Sequence, residues 1–346
     1  MFKRKWQTGS RDTSLHGLWN QGATCYLNSV LQVLFMTPEV HEGLKRNTST
    51  DDSDGVLKDV FDKLKQDTSE TTKITDLLQI RDVHRQHDAA EYLELLLNRL
   101  SPDVSKPFRG TLTNKTECEE GHCIIEETTD FWTLPLALSD CTSVAEGFQK
   151  VFETQSFNVY CTVCKESTDA KRCCQMKTPP TVLVLLLKRF IIDPRNGFHY
   201  KSKCEVELSR EIETEVKMQE ICKILVKVHS CVCPLLVQGL SFSLCGVVDH
   251  QGSAHGGHYT VSMKSQEDQN WYCFSDAHVH ETEEPAGQRS KTAYLLIYRA
   301  LPTQRKELPP KDQMDSEDHS FLTRPAAAKP GSARPTGPRD TRQCSQ

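Results

Sequence analysis

The spacing of apolar residues predicts that the first third of the chain is mostly helical. Apolar positions recur three and four residues apart over Thr24–Met36, with Thr24 available as N-cap and Pro38 as stop. The same spacing continues over Asp88–Leu100, and Pro102 ends it. Each stretch therefore predicts a helix that packs one apolar face against a core.

After Pro107 the pattern changes to short β-like runs that are separated by polar turns. Val182–Phe190 is apolar enough to be a strand that is buried on both faces. Helices in the first part and strands in the later part indicate an α+β fold. The predicted strands are Ile124–Leu138, Val182–Phe190, Phe242–Asp249, His258–Met263, Trp271–Phe274 and Ala293–Arg299.

The two ends of the chain lack a pattern that could build a core. Residues 1–16 are polar and predict a flexible leader, so the fold is expected to span residues 17–300 as one domain. Residues 301–346 are rich in Pro, Lys, Arg, Asp and Ser, which predicts a disordered tail.

The composition is that of an ordinary soluble globular protein, with 346 residues, 37% of them hydrophobic, and a formal net charge of -5. Lys and Arg are scattered among acids, so no nucleic-acid partner is expected. The most apolar stretch, Thr181–Leu187, is too short to cross a membrane, and Met1–Ser10 lacks the apolar run of a signal peptide. Fifteen cysteines without such a signal belong in a reducing compartment, the cytoplasm or the nucleus.

Cys25 stands on the first turn of the first predicted helix, which makes it a candidate nucleophile. Free N–H groups and the positive end of the helix dipole favour the thiolate there. Gly22 allows a sharp turn before the helix, and Asn20 supplies an amide that could donate to an oxyanion. A lone cysteine at a helix start is more often a buried packing residue, so the surrounding pattern decides the interpretation.

His258 is the candidate general base for this thiol. It follows two glycines and starts a predicted strand, which would hold the imidazole rigidly while the glycines let a substrate backbone approach. His250 and His255 lie in the same segment and are the alternatives. A base that is distant in sequence and adjacent in space is what a cysteine nucleophile requires.

Two cysteine pairs outside this site suggest a structural zinc ion. Cys161 and Cys164 have the spacing of half a zinc ribbon, and Cys118 and Cys123 could supply the other half, with His122 as an alternative ligand. The competing interpretation is a strand hairpin that needs no metal.

Five segments resemble the motifs of the ubiquitin-specific proteases, which are papain-like cysteine deubiquitinases. They occur in family order and are most similar to the seven and forty-seven branches. The resemblance implies a papain-like cysteine protease core with a helical thumb, a β-rich palm and extended β fingers that grip ubiquitin. The segments are Gly17–Ser29, Gln86–Tyr92, Leu185–Phe190, Gly257–Tyr259 and Ala293–Tyr298.

The resemblance leaves the third catalytic residue open. The family generally places Asp or Asn after the strand that corresponds to Trp271–Phe274, and this chain has Ser275 and Asp276 there. Ser275 can accept a hydrogen bond from the imidazole but cannot offset an imidazolium charge, whereas Asp276 could do both. We expect Ser275 to lie nearest the ring.

The leading hypothesis is a thiol-dependent hydrolase that cleaves peptide or isopeptide bonds after the C-terminal glycine of ubiquitin or a ubiquitin-like modifier. Its partners would be that modifier and the proteins conjugated to it, and catalysis would need no cofactor. Ser275 and the irregular first cysteine pair also fit a catalytically weak ubiquitin-binding scaffold. A Cys-His acyltransferase on the same core is a third hypothesis.

Overall fold

The computed structural model describes residues 15–46, 52–195, 197–217 and 237–302. The predicted tail from residue 303 and residues 1–14 of the predicted leader lie outside the described residues. Leu15 and His16, which the pattern assigns to the leader, contact the folded part. Leu15 packs against the helical core, and His16 Nδ1 lies 3.0 Å from the carbonyl oxygen of Leu64.

The helices gather in the N-terminal part, as the apolar spacing predicts. The first predicted helix runs over Cys25–Phe35, and Pro38 both ends it and starts the next. None of the helices among the described residues is long and apolar enough to cross a membrane. The helices are α1 (Cys25–Phe35), α2 (Pro38–Arg46), α3 (Asp52–Leu64), α4 (Thr72–Leu77), α5 (Ala89–Arg99), α6 (Pro102–Ser105) and α7 (Val144–Val151), with a 3-10 turn over Lys106–Phe108.

Two larger sheets and two short ribbons follow. A four-stranded sheet has the order β2-β1-β5-β4, and an eight-stranded sheet has the order β14-β13-β12-β11-β16-β6-β3 with β10 beside β11. The strands are β1 (Gly110–Cys118), β2 (Cys123–Phe131), β3 (Thr133–Leu136), β4 (Gln155–Cys161), β5 (Glu166–Thr178), β6 (Val182–Leu187), β7 (Phe190–Ile192), β8 (His199–Lys201), β9 (Val206–Glu207), β10 (Glu211–Lys217), β11 (Val237–Ser253), β12 (Gly256–Lys264), β13 (Trp271–Ser275), β14 (His278–Thr282), β15 (Arg289–Ser290) and β16 (Ala293–Ala300).

The eight-stranded sheet separates two hydrophobic cores, which explains its continuous apolar strands. In β6, Val182 and Val184 face the core that contains α1, whereas Leu183, Leu185 and Leu187 face the opposite core. Because successive side chains of a strand point to opposite faces, a strand that is covered on both sides must be apolar throughout. This sheet is the palm, and the helices packed on the first core form the thumb.

The positions of α1 and α5 fix the candidate active site. All residues of α1 are buried, so this helix is held on every side. The Asp88 side chain caps α5 by accepting hydrogen bonds from the backbone N–H groups of Ala90 and Glu91. The Tyr294 hydroxyl of β16 donates to the same carboxylate. The start of α5 is therefore tied to the palm sheet.

The predicted strand Val182–Phe190 is interrupted at Arg189, because this residue turns into the protein. β6 ends at Leu187, and a separate strand β7 begins at Phe190. The Arg189 side chain is fully buried. Its guanidinium donates hydrogen bonds of 2.5 to 3.3 Å to four backbone carbonyls, those of Ser202, Cys204, Ser290 and Ala293. Burial lowers the pKa of this guanidinium.

Replacing Arg189 with Met should therefore destabilise the palm strongly. The change leaves buried carbonyls without donors, so we expect the free energy of unfolding to fall by about 3 kcal/mol or more. The neighbouring Lys188 is exposed. Lys188→Met is the matched control, with an expected change within about 0.5 kcal/mol. Equal unfolding midpoints of the two variants in guanidinium chloride would refute the role given to Arg189.

Candidate active site

The loop before α1 positions Asn20 with its amide donor facing outward. The Asn20 Oδ1 atom accepts hydrogen bonds from the backbone N–H groups of Gly22 and Thr24, at 2.8 and 3.0 Å. Gly22 has a φ of +148°, a conformation that side chains rarely adopt. Because Oδ1 is occupied by backbone donors, the orientation of the amide is settled and Nδ2 faces away from the loop. The Thr24 hydroxyl also contacts Asn20 Oδ1. Thr24 is the N-cap residue of α1, as predicted, but its side chain makes no hydrogen bond to the helix.

Asp276 holds Asn20 from the other side. Asn20 Nδ2 donates to Asp276 Oδ2 at 2.9 Å, and Asn28 Nδ2 donates to Asp276 Oδ1 at 2.8 Å. Asp276 follows β13 and has a φ of +51°, which is unusual for a residue other than glycine. This left-handed conformation turns the carboxylate toward the start of α1. In the described part of the chain, the second hydrogen of Asn20 Nδ2 has no acceptor and can serve a substrate atom.

His258 lies near the start of β12, and its imidazole contacts Ser275. The Nε2 atom is 3.0 Å from Ser275 Oγ. Ser275 is the last residue of β13, which pairs with β12 over Val261–Lys264. The geometry thus agrees with Ser275 as the residue nearest the ring. Asp276 has both carboxylate oxygens engaged by Asn20 and Asn28.

The alternative histidines lie in different surroundings. His250 is 2% exposed, and its buried Nδ1 atom has no hydrogen-bond partner among the described residues. Burial, assisted by the charges of Lys201 and His258, lowers the pKa of His250 to about 4. The ring packs against Phe190 and Tyr259. His255 lies exposed in the turn between β11 and β12. Neither environment is that of a base mounted next to the α1 thiol.

Gln86 is a site residue to which sequence reasoning gave no role. Its Nε2 atom lies 3.3 Å from Cys25 Sγ and donates to the carbonyl of Gly257 at 2.7 Å. Its Oε1 atom accepts from the N–H of Gly257 at 2.7 Å. Gln86 belongs to one of the segments that resemble the family motifs. Its contacts, however, depend on how close the loop before α5 comes to β12, and the spacing of residues in the sequence does not reveal this distance. Cys25 is only 3% exposed.

A small cavity of about 190 Å³ adjoins Gln86. Its walls include the Asp88 carboxylate and the rings of Phe190 and Tyr259. Gly257 borders the same region and cannot carry a side chain, because a Cβ atom there would lie 2.0 Å from the carbonyl oxygen of Gln251 and 2.6 Å from His250 Nε2. Any residue other than glycine at position 257 would therefore collide with strand β11.

The four-stranded sheet carries a metal-type cluster at its end. Cys118, His122, Cys161 and Cys164 have donor atoms that all lie within 4.8 Å of one another. Cys123, the predicted fourth ligand, is exposed and lies outside this cluster. It starts β2 and pairs with Glu117, so the strand register directs the preceding residue, His122, toward the three thiols. His122 was the alternative ligand in the sequence, and its imidazole lies in this cluster.

A cysteine on a helix start, a strand-mounted imidazole with an oxygen partner and a fixed amide donor together have the arrangement of a papain-like cysteine hydrolase. The sequence model described as "Ubiquitin carboxyl-terminal hydrolase" matches residues 16–298, and the chain belongs to this family.

Individual relatives agree with the family assignment. Ubiquitin carboxyl-terminal hydrolase 15 of Schizosaccharomyces pombe is 28% identical over 330 residues, which cover 83% of this chain and 28% of that protein. Ubiquitin carboxyl-terminal hydrolase 4 of Arabidopsis thaliana is 24% identical, over 83% of this chain and 93% of its own length. The chain spans about a quarter of the length of the curated relatives that it matches first.

A solved structure shares the fold. The SAGA Ubp8/Sgf11/Sus1/Sgf73 DUB module bound to ubiquitin aldehyde matches with a TM-score of 0.68 at 22% identity, over 86% of this chain and 72% of that chain. The α+β prediction with thumb, palm and fingers is confirmed by this likeness.

Proposed function

We propose that this chain is a thiol-dependent hydrolase that cleaves peptide or isopeptide bonds after the C-terminal glycine of ubiquitin or a ubiquitin-like modifier. The observation that carries the proposal is the contact of 3.0 Å between His258 Nε2 and Ser275 Oγ. This contact leaves the imidazole Nδ1 atom for proton exchange with Cys25. The strand that carries His258 packs on the helix that starts at Cys25.

The chemistry follows from these groups. The Cys25 thiolate attacks the carbonyl carbon of the terminal glycine, and the negative charge moves to the carbonyl oxygen. The free hydrogen of Asn20 Nδ2 and N–H groups of the first turn of α1 stabilise that oxyanion. His258 then protonates the leaving amine, and a thioester joins the modifier to Cys25. Water attacks the thioester, His258 takes its proton, and the thiolate leaves.

Ser275 and Asp276 have separate roles in this mechanism. Ser275 orients the imidazole by accepting a hydrogen bond from Nε2, which fixes the tautomer with a basic Nδ1. Asp276 is a positioning residue, because its carboxylate holds the amides of Asn20 and Asn28. The developing imidazolium therefore has a neutral hydroxyl as its direct partner, and the carboxylate acts on the oxyanion side.

Two observations support ubiquitin or a similar modifier as the substrate. The curated relatives are named as ubiquitin carboxyl-terminal hydrolases, and the solved structural neighbour is described as bound to ubiquitin aldehyde. Proteins conjugated to the modifier would be the second partner. A free thiol as nucleophile fits a reducing compartment, so we place the activity in the cytoplasm or the nucleus.

The metal-type cluster of the four-stranded sheet fits a structural zinc ion. Tetrahedral zinc with Cys and His ligands implies distances of about 3.8 Å between sulfurs and about 3.5 Å between sulfur and nitrogen. Cys118 Sγ and Cys164 Sγ are 3.9 Å apart, and His122 Nδ1 lies 3.4, 3.3 and 3.9 Å from the Sγ atoms of Cys118, Cys164 and Cys161. Backbone N–H groups of His122 and Cys164 point to ligand sulfurs. Zinc would join the β1–β2 hairpin to the β4–β5 hairpin of the four-stranded sheet, and catalysis would not use it.

The function is tested with ubiquitin that carries an electrophile in place of its C-terminal carboxylate. The purified chain should gain the mass of one probe, Cys25→Ala should gain none, and His258→Ala should react about a thousandfold more slowly. Cys123→Ser removes an exposed thiol outside the site and should react like the wild type. Probe binding without an adduct would indicate a scaffold, and labelling that survives Cys25→Ala would exclude Cys25 as nucleophile. Probes built on ubiquitin-like modifiers identify the preferred one.

The metal proposal predicts about one equivalent of zinc per chain by elemental mass spectrometry. Cys164→Ser should lose most of this zinc and part of the thermal stability, because four ligands are needed to close a structural site. Cys123→Ser is the matched control and should retain both. Equal zinc contents in the two variants would show that the cluster is assigned to the wrong cysteines.

A further inference from the structure

The side chain of Gln86 connects the two segments that carry the nucleophile and the base. One side of its carboxamide pairs with both backbone groups of Gly257, the residue before His258, at 2.7 Å each. The second hydrogen of Nε2 points to Cys25 Sγ at 3.3 Å. All hydrogens of this amide are thus used within the site.

The pairing has only one chemical orientation. The N–H of Gly257 can only donate and its carbonyl can only accept, so Oε1 must face the former and Nε2 the latter. The nitrogen is therefore the atom that reaches the sulfur. A hydrogen-bond donor at that position stabilises a thiolate, whereas a carboxylate oxygen in the same place would oppose it.

Where Gln86 contacts it, the strand that carries His258 pairs with β11 on one side, and on its other side no strand of the described residues pairs with it. β13 pairs with β12 only from Val261 to Lys264, so the part of β12 around Gly257 extends beyond that ladder. The carboxamide of Gln86 supplies one donor and one acceptor to this edge, as a peptide unit of another strand would. The unpaired backbone groups of an edge need such partners to stay in place.

Gln86 itself is held by a rigid element. It lies two residues before Asp88, whose carboxylate caps α5 and accepts a hydrogen bond from Tyr294 of the palm. The backbone at Gln86 is therefore close to a point that is tied to both α5 and the palm sheet.

We propose that Gln86 is a further catalytic residue, which donates to the Cys25 sulfur and fixes the Gly257 peptide so that His258 stays at the right distance from the thiol. The proposal deepens the hydrolase function and rests on it for the kinetic part of its test. Gln86 contributes to the chemical step, and the binding of ubiquitin does not depend on it.

The kinetic test compares Gln86→Ala, Gln86→Glu and Gln149→Ala with a fluorogenic ubiquitin substrate. Gln86→Ala should lower kcat about tenfold and leave KM within about twofold. Gln86→Glu keeps the length but places an oxygen against the Gly257 carbonyl and the Cys25 sulfur, so its kcat should fall about a hundredfold. Gln149→Ala is the matched control. The Gln149 amide also donates to a backbone carbonyl, that of Glu213 at 2.7 Å, but this bond joins α7 to β10 and involves no residue of the candidate active site.

A second measurement needs no substrate and separates failure of this proposal from failure of the hydrolase function. In ¹⁵N-glycine-labelled protein, the amide of Gly257 should exchange with deuterated water about threefold to tenfold faster in Gln86→Ala than in Gln149→Ala. Unchanged exchange overturns the proposal even if the wild-type chain hydrolyses nothing. The proposal is also overturned if the Gly257 amide exchanges faster but both Gln86 variants have the kcat of the control. The contact between Gln86 and Gly257 would then be structural only.

Discussion

A single carboxylate, that of Asp276, joins the two halves of the active site. One oxygen accepts from Asn20 and the other from Asn28, so the loop before the Cys25 helix is bound to the end of strand β13. The backbone of this residue adds a third contact, because its carbonyl accepts from the N–H of Leu18 at 2.9 Å. The left-handed conformation of Asp276 costs about 1 kcal/mol, and strain of this kind persists where the surroundings enforce it.

The division of roles between Ser275 and Asp276 follows from this constraint. A carboxylate that already serves two amides is not free to turn to the imidazole, so the neighbouring hydroxyl is the direct partner of His258. In the proposed mechanism, orientation of the base is thus separate from orientation of the oxyanion donor. Gln86 completes the arrangement from the third side, since it ties the peptide before His258 to the thiol.

Sequence reasoning predicts the elements of this protein better than the contacts between them. The helix that starts at Cys25, the helix capped by Asp88 and the palm strands follow from apolar spacing. The break at Arg189 was missed, because a buried guanidinium among backbone carbonyls has no periodic signal. The strand register places His122 in the cysteine cluster and Cys123 outside it, which spacing alone does not predict. The contacts of Gln86 and Asp276 arise between segments distant in sequence, so they require the fold.

The most direct test of this account is a double-mutant cycle on kcat/KM with Asn20→Ala and Asp276→Gly, since glycine accepts the left-handed conformation. Asn20→Ala should lower kcat/KM about a hundredfold. If Asp276 acts by holding Asn20, adding Asp276→Gly to Asn20→Ala should lower it by no more than about threefold further. Two results together would contradict the account. The losses of Asn20→Ala and Asp276→Gly would multiply in their double variant, and the losses of Asp276→Gly and Ser275→Ala would not multiply in theirs. That pattern would show that the carboxylate supports the imidazole.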